Sequence, residues 1–155
     1  MIQVTQWMTK RVLSVELNDT IGAARQIMAK HRVNQLPVIT DGELLGIVTD
    51  RDIRDAYPTS MVINRAEEID RFANTCTVEE VMTFNVLSVQ PETSLETAVK
   101  ILRRHRIGSL PVVKNGKVVG ILTRSDILDF ALSGKSLKQP NRRKSREKVV
   151  KIRRS

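Results

Sequence analysis

The chain repeats itself once, at an offset of 74 residues and without a gap. MTKRVLSV at 8–15 returns as MTFNVLSV at 82–89. HRVNQLPVI at 31–39 returns as HRIGSLPVV at 105–113, and GELLGIVT at 42–49 as GKVVGILT at 116–123. Two copies are too few for a stacked solenoid. They suit two similar units paired about a pseudo-twofold axis, so each element must find equivalent surroundings twice.

Each unit reads as β-α-β-β-α. VLSV is a short strand. Ile21, Ala24, Ile27 and Met28 share one helical face in the first unit, and Leu95, Ala98, Ile101 and Leu102 do so in the second. Thr93 and Glu96 have the spacing of a capping box for the second of these helices. Apolar strands follow, joined through Asp41-Gly42 and Asn115-Gly116. Both dipeptides tolerate positive φ and signal tight hairpins. A short helix then follows each Thr, at 50–56 and 124–132. The expected class is α/β (α+β): two β-α-β-β-α units packed sheet to sheet. The expected organisation is a first unit at 1–56, a helical bridge at 57–77, a second unit at 78–133 and a basic tail at 134–155. Pro58 ends the first unit, Asn64 with Glu67 caps a bridge helix carrying Ile69, Phe72 and Ala73, and Gly134 ends the last helix.

Charge is informative once it is located. The net charge is +9, and residues 135–155 hold ten Lys/Arg and one Glu. The 134 residues before them therefore carry sixteen charges of each sign. A neutral body argues against a nucleic-acid-binding fold, and a basic tail points to an appendage that meets an acidic partner. The tail has no aromatic residue for base stacking, so nucleic-acid binding through it would be electrostatic and salt-sensitive. Its bland reading is a solubilising end too polar to fold alone. No apolar run reaches the roughly 18 residues of a membrane span. The first residues lack the basic and apolar regions of a secretory signal. The single cysteine, Cys76, cannot form an internal disulfide. Together these favour the cytoplasm.

The strings GIVTDRDI at 46–53 and GILTRSDI at 120–127 each set an aspartate three residues after a threonine. Taken alone, T-x-x-D starts a helix: Thr49 or Thr123 caps it, and Asp52 or Asp126 places negative charge at its positive end. The same carboxylate has two oxygens and can accept from two vicinal hydroxyls. Gly46 and Gly120 would let a ligand approach the backbone closely. His31 and His105 end equivalent helices, where positive charge is favourable, and no cluster around them has metal-ligand spacing. The Lys30/Arg32 and Arg103/Arg104/Arg106 groups read as solvated basic faces or as phosphate contacts. Met8 and Met82 read as core plugs, Trp7 as a packing residue and Cys76 as an inert thiol.

Taken together, VMT, VLSV, HRV..LPV, the DG or NG hairpin and G-h-h-T-x-x-D resemble a tandem pair of CBS domains, a Bateman module, over roughly residues 4–133. The bridge and TDRDIRDAYP are similar to the acetoin-utilisation-type subgroup. The resemblance implies clefts between the repeats that bind an adenosine ligand: AMP, ADP, ATP, S-adenosylmethionine or NAD. It implies ribose acceptors at Asp52 and Asp126, hydroxyl partners at Thr49 and Thr123, and phosphate contacts from Arg51 and Arg124. It implies adenine slots lined by Val12, Leu13 and Ser14 with Leu36, Pro37 and Val38, and by Val86, Leu87 and Ser88 with Leu110, Pro111 and Val112. Some AMP-binding members have an arginine immediately before LPV, where this chain has Gln35 and Ser109.

The resemblance further implies a homodimer that regulates a partner protein rather than catalysing. The competing reading is a dimeric adaptor whose basic tail binds nucleic acid, an anionic membrane surface or an acidic protein. No catalytic constellation, metal set or Walker-type loop supports an enzyme.

Overall fold

The computed structural model describes residues 1–58 and 66–137. The expected cap at Asn64 and most of the tail lie outside the described residues. In order, the elements are α1 (Ile21–His31), β1 (Gln35–Thr40), β2 (Glu43–Thr49), α2 (Asp50–Ala56), α3 (Ala66–Thr75), α4 (Val78–Val81), β3 (Thr83–Phe84), α5 (Leu95–His105), β4 (Ser109–Lys114), β5 (Lys117–Thr123) and α6 (Arg124–Leu132). The strands form two antiparallel sheets, β1-β2-β3 and β4-β5, with β2 and β5 in contact.

The helices start where capping chemistry allows. Thr20 Oγ1 accepts from the Ala23 amide at 3.1 Å, and Ser94 Oγ accepts from the Thr97 amide at 3.1 Å. The expected cap at Thr93 is therefore one residue early. The Thr93 carbonyl accepts from the Val4 amide at 2.8 Å, and this fixes Thr93 ahead of the helix. Ile21, Ala24 and Met28 on α1, and Leu95, Ala98 and Leu102 on α5, are buried as their spacing predicts. The hairpin residues Asp41 and Gly42 have φ of 51° and 81°, and Asn115 and Gly116 have 51° and 76°. These positive values suit the two-residue turns that match strand twist. Each VLSV segment is shorter as a strand than expected. Among the described residues it makes one isolated parallel bridge, Val15 to Val38 and Val89 to Val112. Only its last residue, Val15 or Val89, is buried.

The two cores do not follow the two sequence units. Val78 and Met82, which open the second unit, are buried among Val15, Ile21, Leu36, Val48 and Ile53 of the first. Val4, with Ile2, Trp7 and Met8 against it, sits in the core of Leu95, Leu110, Leu122 and Phe130. Backbone bonds fix this exchange on both sides. Ile21 donates to Cys76 at 2.9 Å and Val78 to Asp19 at 2.8 Å; Leu95 donates to Ile2 and Val4 to Thr93, both at 2.8 Å. Trp7 closes one side by meeting Phe130 edge-on, with ring centroids 5.1 Å apart.

The glycines before the T-x-x-D motifs serve this exchange. A side chain at Gly46 would strike the Thr83 carbonyl and the Met82 methyl, and one at Gly120 would strike Met8 Sδ. The space at these glycines, where a ligand was expected to approach, is taken by the methionine plugs. Burying Val4 and Val78 completely stabilises each junction by about 1.5 kcal/mol or more.

Candidate functional site

The exchange brings the opening segment of each repeat onto the T-x-x-D motif of the other. Thr9 pairs with Ile121 through bonds of 2.9 and 3.0 Å, and Thr83 pairs with Ile47 in the matching place. Two clefts result, and both draw on both repeats.

The larger, about 550 Å³, is the Asp126 cleft. Thr123, Arg124, Ser125 and Asp126 come from the β5–α6 junction. Thr9, Arg11 and Leu13 come from the opening segment, Arg32 to Pro37 from the α1–β1 connection, and Gly108 and Ile121 complete it. The smaller, about 440 Å³, is the Thr49 cleft. Ile47 and Thr49 meet Thr83 and Asn85–Leu87 there, with Gln35 and residues 105–109. Both volumes lie within the roughly 300–1,000 Å³ of small-molecule sites. Gln35 and Gly108 line both clefts, which therefore meet at the pseudo-twofold axis.

Both threonine–aspartate pairs form full capping boxes. Thr49 donates its amide to Asp52 Oδ2 at 2.9 Å, and Thr49 Oγ1 accepts from the Asp52 amide at 3.0 Å. Asp126 Oδ2 accepts from the Thr123 amide at 2.7 Å and from Thr123 Oγ1 at 3.0 Å. Asp126 Oδ1 also accepts from Thr9 Oγ1 at 3.1 Å, a bond that crosses between repeats. Among the described residues, no hydroxyl donates to Asp52 in this way. A carboxylate offers about four lone pairs, so Asp52, which accepts from the Thr49 amide, keeps room for two sugar hydroxyls, while Asp126 gains that room when the Thr9 and Thr123 hydroxyls turn away.

Of the residues singled out in the sequence, Thr123, Arg124, Asp126, Leu13, Leu36 and Pro37 meet in the Asp126 cleft. Thr49, Val86 and Leu87 meet in the other. Asp52 lines neither cleft and is bonded to Thr49, which lines the smaller one. Arg51 Nε lies 4.0 Å from Asp55 on the exposed face of α2 and lines neither cleft. Val38, Leu110, Pro111 and Val112 are buried. Val12, Ser14 and Ser88 also lie outside both linings.

Sequence reasoning placed the clefts between the repeats but drew the lining of each from one unit, and so passed over Thr9, Arg11, Thr83 and Asn85. The identity of Thr9 and Thr83 at the repeat offset was the available signal. It also missed Ser109 as a site residue. Ser109 is 2% exposed, lines the Thr49 cleft and has a buried hydroxyl with no hydrogen-bond partner among the described residues.

Arg32, Asn85 and Arg106 each hold φ of 54° and line the clefts. Side chains other than glycine adopt this left-handed region at a cost of roughly 1 kcal/mol or more. At the ends of α1 and α5, where glycine is the usual choice, arginine sets a guanidinium at each cleft mouth.

The Cys76 thiol lies away from both linings, and burial, followed by the nearby Glu80 carboxylate, raises its pKa. That keeps it protonated and unreactive. Among the described residues there is no group of acidic, histidine or cysteine side chains able to hold a metal ion.

The CBS domain family matches residues 4–59 and 78–133. The chain belongs to the CBS domain family. It is 35% identical to the CBS domain-containing protein YhcV of Bacillus subtilis over 136 residues, which cover 88% of this chain and 90% of that one. Its fold is similar to the acetoin utilization protein AcuB of Vibrio cholerae, with a TM-score of 0.72, 30% identity, and 86% and 92% of the two chains covered. It is also similar to the CBS-pair protein CBSX2 of Arabidopsis thaliana in complex with AMP, with a TM-score of 0.72, 30% identity, and 88% and 100% covered. This CBS pair thus has two repeats packed about a pseudo-twofold axis, and among the described residues no helix is long and apolar enough to cross a membrane.

Proposed function

We propose that this CBS pair is a regulatory module, working in the cytoplasm, that senses an adenosine ligand in the clefts between its repeats. One observation carries the reading. The Asp126 cleft brings together in one lining a capped carboxylate, the apolar Leu13, Leu36 and Pro37, and the arginines Arg11, Arg32 and Arg124. The carboxylate suits vicinal sugar hydroxyls, the apolar wall suits a flat base, and guanidinium groups suit phosphate. The AMP complex of CBSX2 supports the same ligand class.

A ligand that spans both repeats can shift their relative packing only if it binds one arrangement more tightly than another. The regulated partner would read that shift. A homodimer would supply a second lever. Leu128 and Leu132 are 64% and 86% exposed and lie one turn apart on α6, a face a second copy could cover.

Thermal unfolding tests the reading. AMP, ADP, ATP, NAD and S-adenosylmethionine are each added to the full chain at about 100 times the Kd sought. A ligand that binds the native state stabilises it by about 2.7 kcal/mol, which raises Tm by roughly 5–10 °C. No rise with any of the five, with no heat in isothermal titration, would sink the proposal.

A further inference from the structure

Resting on that reading, we propose that the two clefts divide adenosine ligands by charge. The Asp126 cleft takes the phosphorylated ligand, and the Thr49 cleft takes an adenosine ligand without phosphate.

The repeat offset makes the comparison position by position. Arg32 corresponds to Arg106, and each lines its own cleft. Arg11, however, corresponds to Asn85, and Arg124 to Asp50. The Asp126 cleft therefore has three arginines in its lining where the Thr49 cleft has one. Among the described residues, none of those three arginines is held in an ion pair, so each guanidinium can turn to an anion. On the other side the position of Arg124 is filled by a carboxylate. Asp50 pairs with Arg54 at 3.3 Å and lies outside the lining of the Thr49 cleft, so that side lacks the cation that Arg124 supplies to the other. Exposed charges interact weakly when single, but three on one ligand group act together.

The Thr49 cleft has its own unmet demand. The buried Ser109 hydroxyl lacks a hydrogen-bond partner, and its repeat equivalent is the longer amide Gln35. A neutral polar group on a ligand can satisfy a hydroxyl as donor or acceptor without bringing charge into the cleft.

Isothermal titration of the full chain with AMP and with adenosine separates the phosphate from the rest of the ligand. The wild type should bind AMP at about one site per chain and bind it more tightly than adenosine. The double variant Arg11→Ala/Arg124→Ala should lose AMP affinity on the order of 100-fold, from two charge-assisted hydrogen bonds. Its adenosine affinity should stay within about twofold. A fall in both would place adenosine in the Asp126 cleft as well. Asp50→Arg, which restores the arginine of the other repeat, should raise AMP stoichiometry toward about two, with circular dichroism confirming the fold.

Equal losses of AMP and adenosine in the double variant, or unchanged AMP affinity, would overturn the division. So would two AMP sites in the wild type, or no gain from Asp50→Arg. A wild type that binds no adenosine compound overturns the sensing reading and this division with it. A wild type that binds AMP and adenosine equally removes the division alone.

Discussion

The Asp126 cleft and the Thr49 cleft share one backbone plan and differ in what stands on it. Both have a threonine–aspartate box at a helix start, an opening segment donated by the opposite repeat, and a left-handed residue at the mouth. One carries three arginines and a threonine that bonds its aspartate; the other carries one arginine, Asn85 and an unpartnered serine. Symmetry in such a chain governs the parts that packing must hold, while the cleft edges are free to diverge. Duplication supplies two sites, and single substitutions at matched positions can give them separate ligands.

The sharpest way to break the comparison is to block the exchange on one side. Gly120→Val forces Met8 and Thr9 away from β5, and Gly46→Val forces Met82 and Thr83 away from β2. Overpacking of this kind costs about 1–3 kcal/mol, so each variant should melt several degrees lower. The fall should be larger for Gly46→Val, whose side chain meets the Thr83 carbonyl, than for Gly120→Val, whose side chain first meets the flexible end of Met8. Ligand binding in the Asp126 cleft should suffer mainly from Gly120→Val. Equal loss of binding from both would show that the clefts do not depend on their own donated segments.

The repeats, the hairpins, the buried helix faces and the capping boxes at Thr49 and Thr123 were legible because each leaves a local signature. Asp41-Gly42 and Thr49/Asp52 announce themselves within four residues. The exchange was not legible. Val4 and Val78 read as ordinary apolar residues, and nothing nearby says that each is buried beyond its own unit. The same gap hid Thr9 and Arg11, and it led Gly46 and Gly120 to be assigned to a ligand when they accommodate methionine. Arg51 illustrates the opposite limit. Its place in the motif suggested a phosphate contact, but on a seven-residue helix its side chain lies toward Asp55.

A smaller effect separates the two aspartates. Thr9→Val removes the hydroxyl that donates to Asp126, and should cost about 0.5–1.5 kcal/mol in urea unfolding. Thr83→Val removes no such bond and should cost less. Equal costs would mean that the Thr9 bond adds nothing to the fold.

The smallest difference is one of pH. The opening segments are capped by Gln3 with Gln6 on one side and by Thr77 with Glu80 on the other. Only the second can titrate. The Thr77 amide, then the Thr77 hydroxyl, hold the Glu80 carboxyl below its ordinary value of 4.5. Its contribution is therefore fully present above pH 4.5 and fades as pH falls through the lowered folded value. In melts between about pH 6 and pH 3, wild type should lose slightly more stability than Glu80→Gln. Parallel curves would remove Glu80 from the acid response.

The central claim is that the Asp126 cleft is a working adenosine site. Isothermal titration of AMP into the wild type, Asp126→Ala and Asp52→Ala tests it most directly, with melting curves to allow for the loss of a cap, about 0.5–2 kcal/mol in each variant. Saturable AMP binding that Asp126→Ala weakens by tenfold or more, and Asp52→Ala leaves nearly intact, is the expected result. AMP binding untouched by Asp126→Ala would contradict it.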